Sequence, residues 1–256
     1  MNKPIRLDIF LKDYHNIQSR NKAAELIKAK KIKIDGIIIT KPSFKIEQTA
    51  NIEILQDIVY VSRSANKLKY FLEELDNKIN INGKTALDIG SSTGGFTQIL
   101  LLNNIKQVDC VDVGSNQLHK SIANNPKITI YENTDIRKFN PQQKYDIITC
   151  DVSFISILYI IDDINRLAKQ DIIILYKPQY EVGSNIKRDS AGVVKDNNAI
   201  KEARNNFLQH TANLQWDLVH NATSKVAGKQ GNIEELFYFH KINNENMEKN
   251  DARIIK

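Results

Sequence analysis

The chain of 256 residues is poor in cysteine and has no long apolar runs. Its two cysteines, Cys110 and Cys150, fall in strand-like segments without metal-ligand spacing, so we expect buried core residues and no metal or redox site. No apolar run approaches the roughly 18 residues that a membrane helix needs. The N-terminus also lacks the apolar core of a signal peptide. We therefore expect a cytoplasmic protein with no membrane partner.

Positive charge is in modest excess. The chain has 36 lysines and arginines against 30 aspartates and glutamates, which gives a formal net charge of +6. Such an excess favours a polyanionic partner such as nucleic acid. Hydrophobic residues make up 41% of the chain, as expected of a folded protein, and the length fits one large or two modest domains.

The N-terminal segment predicts a compact unit of two helices and a hairpin. Apolar residues recur at helical spacing in "RLDIFLKDY", and Ser19 is suited to cap a second helix. Alternating residues then turn at Asp35-Gly36 and continue as a second strand through "IIITKPSFKI". The second helix and its end carry a basic face, which is either solvated or a contact for RNA phosphates: Arg20, Lys22, Lys28, Lys30 and Lys31.

The order of these elements resembles the small RNA-binding domain named after ribosomal protein S-four. The resemblance rests on an Arg-Leu-Asp opening at Arg6, a Ser-Arg pair at Ser19, and an Ile-x-Ile-Asp-Gly hairpin that begins at Ile32. It implies that this unit holds ribosomal RNA mainly through phosphate contacts. The residues predicted to make those contacts are Arg6, Arg20, Lys22, Lys28, Lys30 and Lys31.

From Thr85 onward, strand and helix patterns alternate. Segments such as "TALDIG", "YDIITCDV" and "DIIILYKP" are typical of buried strands, and helical stretches lie between them, one of them at 115–125. This alternation predicts a doubly wound, largely parallel α/β sheet. Two late strands without a helix between them indicate that one inserts antiparallel. We predict domains at 1–60 and 61–245 and a flexible tail at 246–256.

The first strand of this series ends in "DIGSSTGGFTQ", a turn of very small residues. Position 92 is serine, so the dinucleotide pattern G-x-G-x-x-G fails, and the phosphate loop G-x-x-x-x-G-K-[ST] is absent. A carboxylate about twenty residues further on, Asp112, suits the two hydroxyls of a ribose. This combination is typical of S-adenosylmethionine methyltransferases, and a generic tight turn is the alternative.

The candidate cofactor-binding residues surround this turn and the ends of the next two strands, where ligands sit in such folds. Asp135 follows the third strand and is the candidate to accept a hydrogen bond from the adenine amino group. The full candidate set is Asp88, Gly90, Ser91, Thr93, Gly94, Gly95, Phe96, Asp112, Asp135 and Ile136.

The fourth strand favours an oxygen as the methyl acceptor. No proline follows Asp151, so the Asn/Asp-Pro-Pro-Tyr/Phe pattern of base-amine methylation is missing. Cys150 points away from Asp151 in the strand pattern, which disfavours methylation of a cytosine carbon. Each charged residue in this region is by itself typical of a solvated surface. Four of them, however, lie at strand ends or a helix start: Lys67, Asp151, Lys177 and Glu234.

These four residues match the Lys-Asp-Lys-Glu tetrad of the FtsJ-like ribose 2′-O-methyltransferases. With "SRSANKL", "VDVGSNQL", "DVSFIS", "KPQYEVG" and "GKQGNIE" also present, the chain closely resembles the TlyA family from Arg6 to Phe239. The resemblance implies a Rossmann-like domain with a seven-stranded sheet, S-adenosylmethionine as donor, and a cytidine ribose of ribosomal RNA in ribosomal subunits as acceptor. Two departures are Tyr180, where relatives often have phenylalanine, and Glu235 beside the favoured Glu234.

The tetrad suggests a division of roles. Lys177 is the candidate base or positioning group for the 2′-oxygen. Lys67 would lower the pKa of Lys177 by repulsion, whereas Asp151 and Glu234 would oppose that effect, and the balance stays open. This chemistry requires no metal. Two other functions stay open as well: a membrane-active hemolysin, which the family's hemolysin name suggests, and a non-catalytic RNA-binding factor for ribosome assembly.

Overall fold

The computed structural model describes residues 4–15, 17–47, 49–55, 59–228 and 231–242. The tail predicted at 246–256 lies outside these residues. The chain divides into two compact units, Met1–Val59 and Tyr60–Lys256.

The described residues of the first unit form two helices and five short strands. In chain order they are β1 (Ile5–Arg6), α1 (Leu7–Tyr14), α2 (Arg20–Lys28), β2 (Ile32–Ile34), β3 (Ile37–Ile38), β4 (Lys45–Ile46) and β5 (Ile52–Ile54). Leu7, Leu11 and Ile27 are fully buried between the two helices and the strands. Ser19 caps α2, because its hydroxyl accepts a hydrogen bond from the backbone N–H of Lys22 at 3.1 Å.

The predicted hairpin is present but shorter than expected. Asp35 and Gly36 have φ values of +49° and +81°, the left-handed pair that a two-residue hairpin turn requires. The second strand ends at Ile38, and Lys45–Ile46 pairs with β1 instead of extending it. Pro42 lies between these strands and has no N–H for a sheet ladder. Its carbonyl accepts a hydrogen bond from the N–H of Asp8, in the first turn of α1.

The second unit alternates strands and helices. Its strands are β6 (Thr85–Ile89), β7 (Gln107–Val111), β8 (Ile128–Tyr131), β9 (Tyr145–Cys150), β10 (Ala168–Tyr176), β11 (Trp216–Thr223) and β12 (Glu235–Lys241). Its α-helices are α3 (Arg63–Leu75), α4 (Gly95–Leu102), α5 (Lys120–Ala123), α6 (Ile161–Leu167), α7 (Pro178–Glu181) and α8 (Asn197–Asn213). Short 3-10 helices lie at Asp76–Lys78, Ile136–Lys138 and Ile157–Tyr159.

The seven strands form one sheet in the order β11-β12-β10-β9-β6-β7-β8. The five strands from β10 to β8 are parallel, and β12 is antiparallel to both of its neighbours. The predicted doubly wound, mostly parallel α/β fold with one antiparallel insertion is thus confirmed. The chain reverses direction across the sheet between β6 and β9, the place where ligands bind in open α/β folds.

Alternating residues of the central strands supply two core layers. Ile172 and Ile174 pack in the layer that includes α6 and α8, and Ile173 and Leu175 pack in the layer that includes α3 and α4. Both cysteines are free and buried, as predicted. Burial raises the pKa of the Cys150 thiol to about 12, which keeps it protonated at neutral pH.

Candidate active site

The sheet brings the four predicted catalytic positions to one edge. Asp151 directly follows β9, and Lys177 directly follows the neighbouring parallel strand β10. Glu234 directly precedes β12, which runs antiparallel, so the start of β12 lies beside the end of β10. Lys67 reaches the same place from the second turn of α3.

The tetrad forms two buried ion pairs. Lys177 Nζ lies 2.5 Å from Asp151 Oδ1, with side chains that are 9% and 15% exposed. Lys67 Nζ lies 2.5 Å from Glu234 Oε2, with side chains that are 10% and 4% exposed. The adjacent Glu235 points elsewhere and pairs with Arg204 of α8 at 3.0 Å. The structure therefore places Glu234, and not Glu235, against Lys67.

Lys177 has a second partner that the sequence did not indicate. Its Nζ donates a hydrogen bond to Ser153 Oγ at 2.9 Å. An ammonium group has three N–H donors, so the contacts with Asp151 and Ser153 leave one position on Nζ for another acceptor. The nearest sequence clue was the hydroxyl two residues after Asp151 in "DVSFIS".

A cavity of about 490 Å³ is lined by all four residues of the tetrad. Ser91, Thr93 and Phe96 of the predicted cofactor set also line it. Asn232 is a lining residue that the sequence did not single out. It is buried, and its amide contacts the backbone of Val194 at 3.3 Å and of Gly192 at 3.4 Å.

A second cavity of about 560 Å³ is lined by Asp112, Asp135 and Ile136. Backbone N–H groups of Ser92 and Gly114 donate to the two oxygens of Asp112 at 2.8 and 2.7 Å and so fix its orientation. The two cavities share five lining residues and therefore adjoin: Gly90, Ser92, Asp151, Ser153 and Phe154.

Three predicted cofactor residues line neither cavity, although all three are among the residues that the structure describes. Asp88 is fully buried and accepts hydrogen bonds from Thr97 Oγ1 at 2.6 Å and Thr149 Oγ1 at 2.8 Å. Gly94 and Gly95 lie where α4 begins. A Cβ at Gly95 would meet the backbone N of Ala65 at 2.8 Å, so this glycine allows α3 and α4 to approach closely.

Gly90 lines both cavities and also allows close packing between two strand ends. It has a φ of +74°, and a Cβ there would lie 2.8 Å from the backbone carbonyl oxygen of Asp151. The absence of a side chain thus lets the β6 turn lie directly against the strand end that carries Asp151.

Comparisons with known proteins agree with this geometry. Residues 60–241 match the family model described as FtsJ-like methyltransferase, and residues 5–52 match the S4 domain. A Campylobacter jejuni protein named 23S rRNA (cytidine-2′-O)-methyltransferase TlyA is 45% identical to this chain over 254 residues. That match covers 92% of this chain and 99% of the relative.

The chain belongs to the TlyA family of FtsJ-like methyltransferases. A second TlyA protein, the 16S/23S rRNA (cytidine-2′-O)-methyltransferase of Mycobacterium tuberculosis, is 34% identical over 86% of this chain and 84% of its own length. A solved structure of a hemolysin-named protein from Lactococcus lactis has a TM-score of 0.68 and 32% identity. That match covers 73% of this chain and 90% of the solved chain. The predicted family and the prediction that the chain is an enzyme are confirmed.

Burial raises the pKa of two carboxyl groups of this chain, and hydrogen bonds lower the pKa of a third. Burial raises the pKa of Asp151, and the neighbouring charge and hydrogen bond of Lys177 oppose the rise. Burial also raises the pKa of Asp88 to about 6, against the hydrogen bonds from Thr97 and Thr149. At the rim, hydrogen bonds from Arg137 lower the pKa of Asp135 to about 2.

Two of the predicted RNA-binding residues, Arg6 and Arg20, share Asp8 as their hydrogen-bond acceptor. Arg6 makes two hydrogen bonds of 3.0 Å to Asp8, and Arg20 makes a third of 3.0 Å. These bonds, chiefly those from Arg6, lower the pKa of the buried Asp8 to about 2. Lys22 pairs with Glu25 at 3.0 Å. Part of the predicted basic face therefore already has acidic partners.

Neither a cluster of metal-ligating side chains nor a membrane-spanning helix is present among the residues that the structure describes. These residues contain no group of three or more histidine, cysteine, aspartate or glutamate side chains arranged to hold a metal ion. They also include no helix that is long and apolar enough to cross a membrane.

Proposed function

We propose that this chain transfers a methyl group from S-adenosylmethionine to the 2′-hydroxyl of a cytidine ribose in ribosomal RNA. The observation that carries the proposal is the environment of Lys177. Its Nζ contacts Asp151 and Ser153 and has one position left for the substrate oxygen, in a cavity that adjoins a second one. The names of the TlyA relatives support a cytidine ribose in rRNA as the acceptor.

The second cavity fits the adenosine part of this cofactor. The carboxylate of Asp112 is held by two N–H groups, and each of its oxygens retains a lone pair for a ribose hydroxyl. Apolar side chains of Val111, Ile136 and Ile160 line the same cavity and suit a flat base. Asp135 is the candidate acceptor for the adenine amino group. When bound, the cofactor supplies an electrophilic methyl group on a positively charged sulfur.

Lys177 acts on the acceptor oxygen in one of two ways. As an ammonium, it donates its remaining N–H to the 2′-oxygen and holds that oxygen in line with the methyl group, and the hydroxyl proton leaves to solvent as the oxygen–methyl bond forms. As a neutral amine, it accepts the hydroxyl proton as the oxygen–methyl bond forms. Asp151 and Ser153 orient Nζ in both cases. Lys67 and Glu234 add a second pair of charges that also act on Asp151.

The first unit provides the hold on ribosomal RNA in this proposal. We assign RNA binding to residues 1–60 and methyl transfer to residues 61–245. A ribosomal substrate also places the enzyme in the cytoplasm. Phosphate contacts from the basic residues would give affinity without sequence reading, and the cavity would select the nucleotide.

The hemolysin interpretation rests on names alone. A relative from Brachyspira hyodysenteriae, 33% identical over 92% of this chain, is named Hemolysin A. Leakage of dye from liposomes by the purified protein, at concentrations where it methylates RNA, would support a membrane activity.

The direct test is transfer of tritium from methyl-labelled S-adenosylmethionine to isolated ribosomal subunits. We expect label in ribosomal RNA, and nuclease digestion should release 2′-O-methylcytidine. Label confined to a base, or no label with either subunit or with the intact ribosome, would contradict the proposal.

A further inference from the structure

The segment between β9 and the 3-10 helix at Ile157–Tyr159 carries two of the partners of Lys177. Asp151 and Ser153 lie in this segment, which has no regular secondary structure. Phe154, the next residue, has a φ of +67° and is 90% exposed. A bulky side chain rarely adopts this left-handed conformation, so the local sequence does not favour the observed path. Contacts from elsewhere have to hold it.

The start of this segment is held by the sheet. The N–H of Asp151 donates to the carbonyl of Ile89 at 3.0 Å, and Cys150 pairs with Ile174 of β10. The end of the segment is held by Glu181. Its Oε2 accepts a hydrogen bond from Ser156 Oγ at 2.6 Å, and its Oε1 accepts one from the N–H of Ile157 at 3.0 Å.

Glu181 is also fixed relative to Lys177. It is the last residue of α7, a single turn of helix that begins directly after Lys177. One carboxylate therefore ties the end of the Asp151 segment to the backbone that carries the lysine. Glu181 lines neither of the two cavities, so it acts through these contacts and not on a ligand.

We propose that Glu181 is a positioning residue, which clamps the segment 151–156 so that Asp151 and Ser153 stay in contact with Lys177 Nζ. The inference rests on the proposed function, because it assigns Glu181 to the same methyl transfer. Loss of the clamp removes the polar contacts at the end of the segment and leaves there the core packing of Ile157 and the ring contact of Phe154 with Tyr180. Small displacements of reacting groups cost large factors in rate. The cofactor cavity is lined partly by the same segment, but also by Gly90 and Asp112, which the loss of Glu181 leaves in place.

Two variants separate the clamp from its charge. Glu181→Ala removes both acceptors, and we expect kcat to fall on the order of 10-fold to 100-fold, a larger factor than any rise in KM for S-adenosylmethionine. Glu181→Gln keeps a carbonyl oxygen for the N–H of Ile157, and its amide N–H can donate to Ser156 Oγ. This variant should retain most of kcat.

Asp146→Ala is the matched control for stability. Asp146 lies in β9 at the end opposite the site, and it accepts hydrogen bonds from the N–H of Thr85 at 2.8 Å and from Thr85 Oγ1 at 2.7 Å. It also pairs with Lys169. Its removal should lower Tm to a similar degree as Glu181→Ala and leave kcat near the wild-type value.

The experiment measures total methyl transfer, product identity and Tm for the wild type and the three variants, at a temperature where circular dichroism shows all of them folded. The inference predicts a loss of kcat in Glu181→Ala alone. A wild-type kcat in Glu181→Ala, or equal losses in Glu181→Ala and Asp146→Ala, would overturn it. A rise in KM for S-adenosylmethionine at constant kcat would overturn it too. A base-methylated product from the wild type would instead overturn the proposed function. The ratio of each variant's kcat to the wild-type kcat would still test the role of Glu181.

Discussion

Asp151 Oδ1 and Lys177 Nζ lie 2.5 Å apart at the ends of adjacent parallel strands. The register of these strands pairs Cys150 with Ile174, and β10 extends two residues further, to Tyr176. Asp151 and Lys177 therefore each follow the last residue of a strand at the same edge of the sheet. The pairing of β9 with β10 therefore positions the two side chains for this contact. A buried pair of this kind is costly to break, because either partner alone would be an uncompensated charge.

Asp112→Ala should weaken the binding of S-adenosylmethionine. The variant leaves two ribose hydroxyls and the N–H groups of Ser92 and Gly114 without their acceptor, which costs roughly 1–3 kcal/mol of binding free energy, or about 5-fold to 150-fold in Kd. Titration calorimetry measures this. Asp162→Ala, which removes an exposed carboxylate of α6, is the control. Equal affinities in all three proteins would argue against the assigned cavity.

Gly90→Ala should impair both cofactor binding and catalysis. The added methyl group would meet the carbonyl oxygen of Asp151 at 2.8 Å and would displace that strand end relative to Lys177. Gly83→Ala is a close control, because Gly83 has a similar φ of +73° with nothing within 4 Å of a Cβ. Both variants carry backbone strain of about 1 kcal/mol, but only Gly90→Ala should lose kcat. Parallel kinetics in the two variants would show that the contact with Asp151 is irrelevant.

Asp88→Asn should change how stability depends on pH. The pKa of Asp88 is about 6 in the folded protein, against an ordinary value of 3.8, so the fold favours the protonated form. The stability that this group contributes is complete below pH about 4 and is lost as the pH rises through 6. The variant should therefore gain on the order of 3 kcal/mol relative to the wild type between pH 4 and pH 7.

Urea unfolding followed by tryptophan fluorescence tests this prediction, because the single tryptophan, Trp216, is buried in the second unit. Asp162→Asn controls for the loss of one negative charge. A difference between Asp88→Asn and the wild type that stays constant from pH 4 to pH 7 would mean that Asp88 does not titrate in this range.

The double variant Lys28→Gln/Lys30→Gln should bind ribosomal RNA more weakly and with a shallower salt dependence. Both lysines are exposed on the predicted basic face. Each phosphate contact removed should reduce the slope of log affinity against log salt by about 0.7 to 0.9. Lys12→Gln/Lys41→Gln removes the same charge from exposed positions outside the predicted set. Filter binding at several salt concentrations should separate the two, and identical slopes would remove these lysines from the interface.

The sheet and the positions of the tetrad were predictable because both follow from local patterns. Buried strands are continuous apolar runs, and their alternation with helices indicates a parallel sheet. Parallel strands place their carboxyl ends at one edge, which predicts that Asp151 and Lys177 lie close together. The helix predicted at 115–125 was too long. It spans only Lys120–Ala123, because Asn116 has a φ of +53° and the N–H of Gln117 bonds to Glu132 of the neighbouring strand end.

Other features depended on tertiary contacts that no local pattern encodes. Ser153 and Glu181 matter through residues 24 or more positions away. Asp88 is a predicted cofactor residue, and its hydrogen bonds with two threonines from other elements could not be predicted from the sequence. The contacts of Arg6 and Arg20 with Asp8 likewise required the folded arrangement of the first unit.

The central claim is that Lys177 promotes methyl transfer to a ribose oxygen. The most direct measurement is alkaline hydrolysis of ribosomal RNA after incubation with methyl-labelled S-adenosylmethionine, because a 2′-O-methyl group blocks cleavage at its own linkage. The enzymes compared are the wild type, Lys177→Ala, and Lys84→Ala, whose lysine pairs with the buried Asp171 at 2.7 Å, away from both cavities. We predict a labelled alkali-resistant dinucleotide from the wild type and from Lys84→Ala. Lys177→Ala should form it on the order of 100-fold more slowly while binding S-adenosylmethionine normally. Label released only as mononucleotides, or an undiminished rate in Lys177→Ala, would contradict the account.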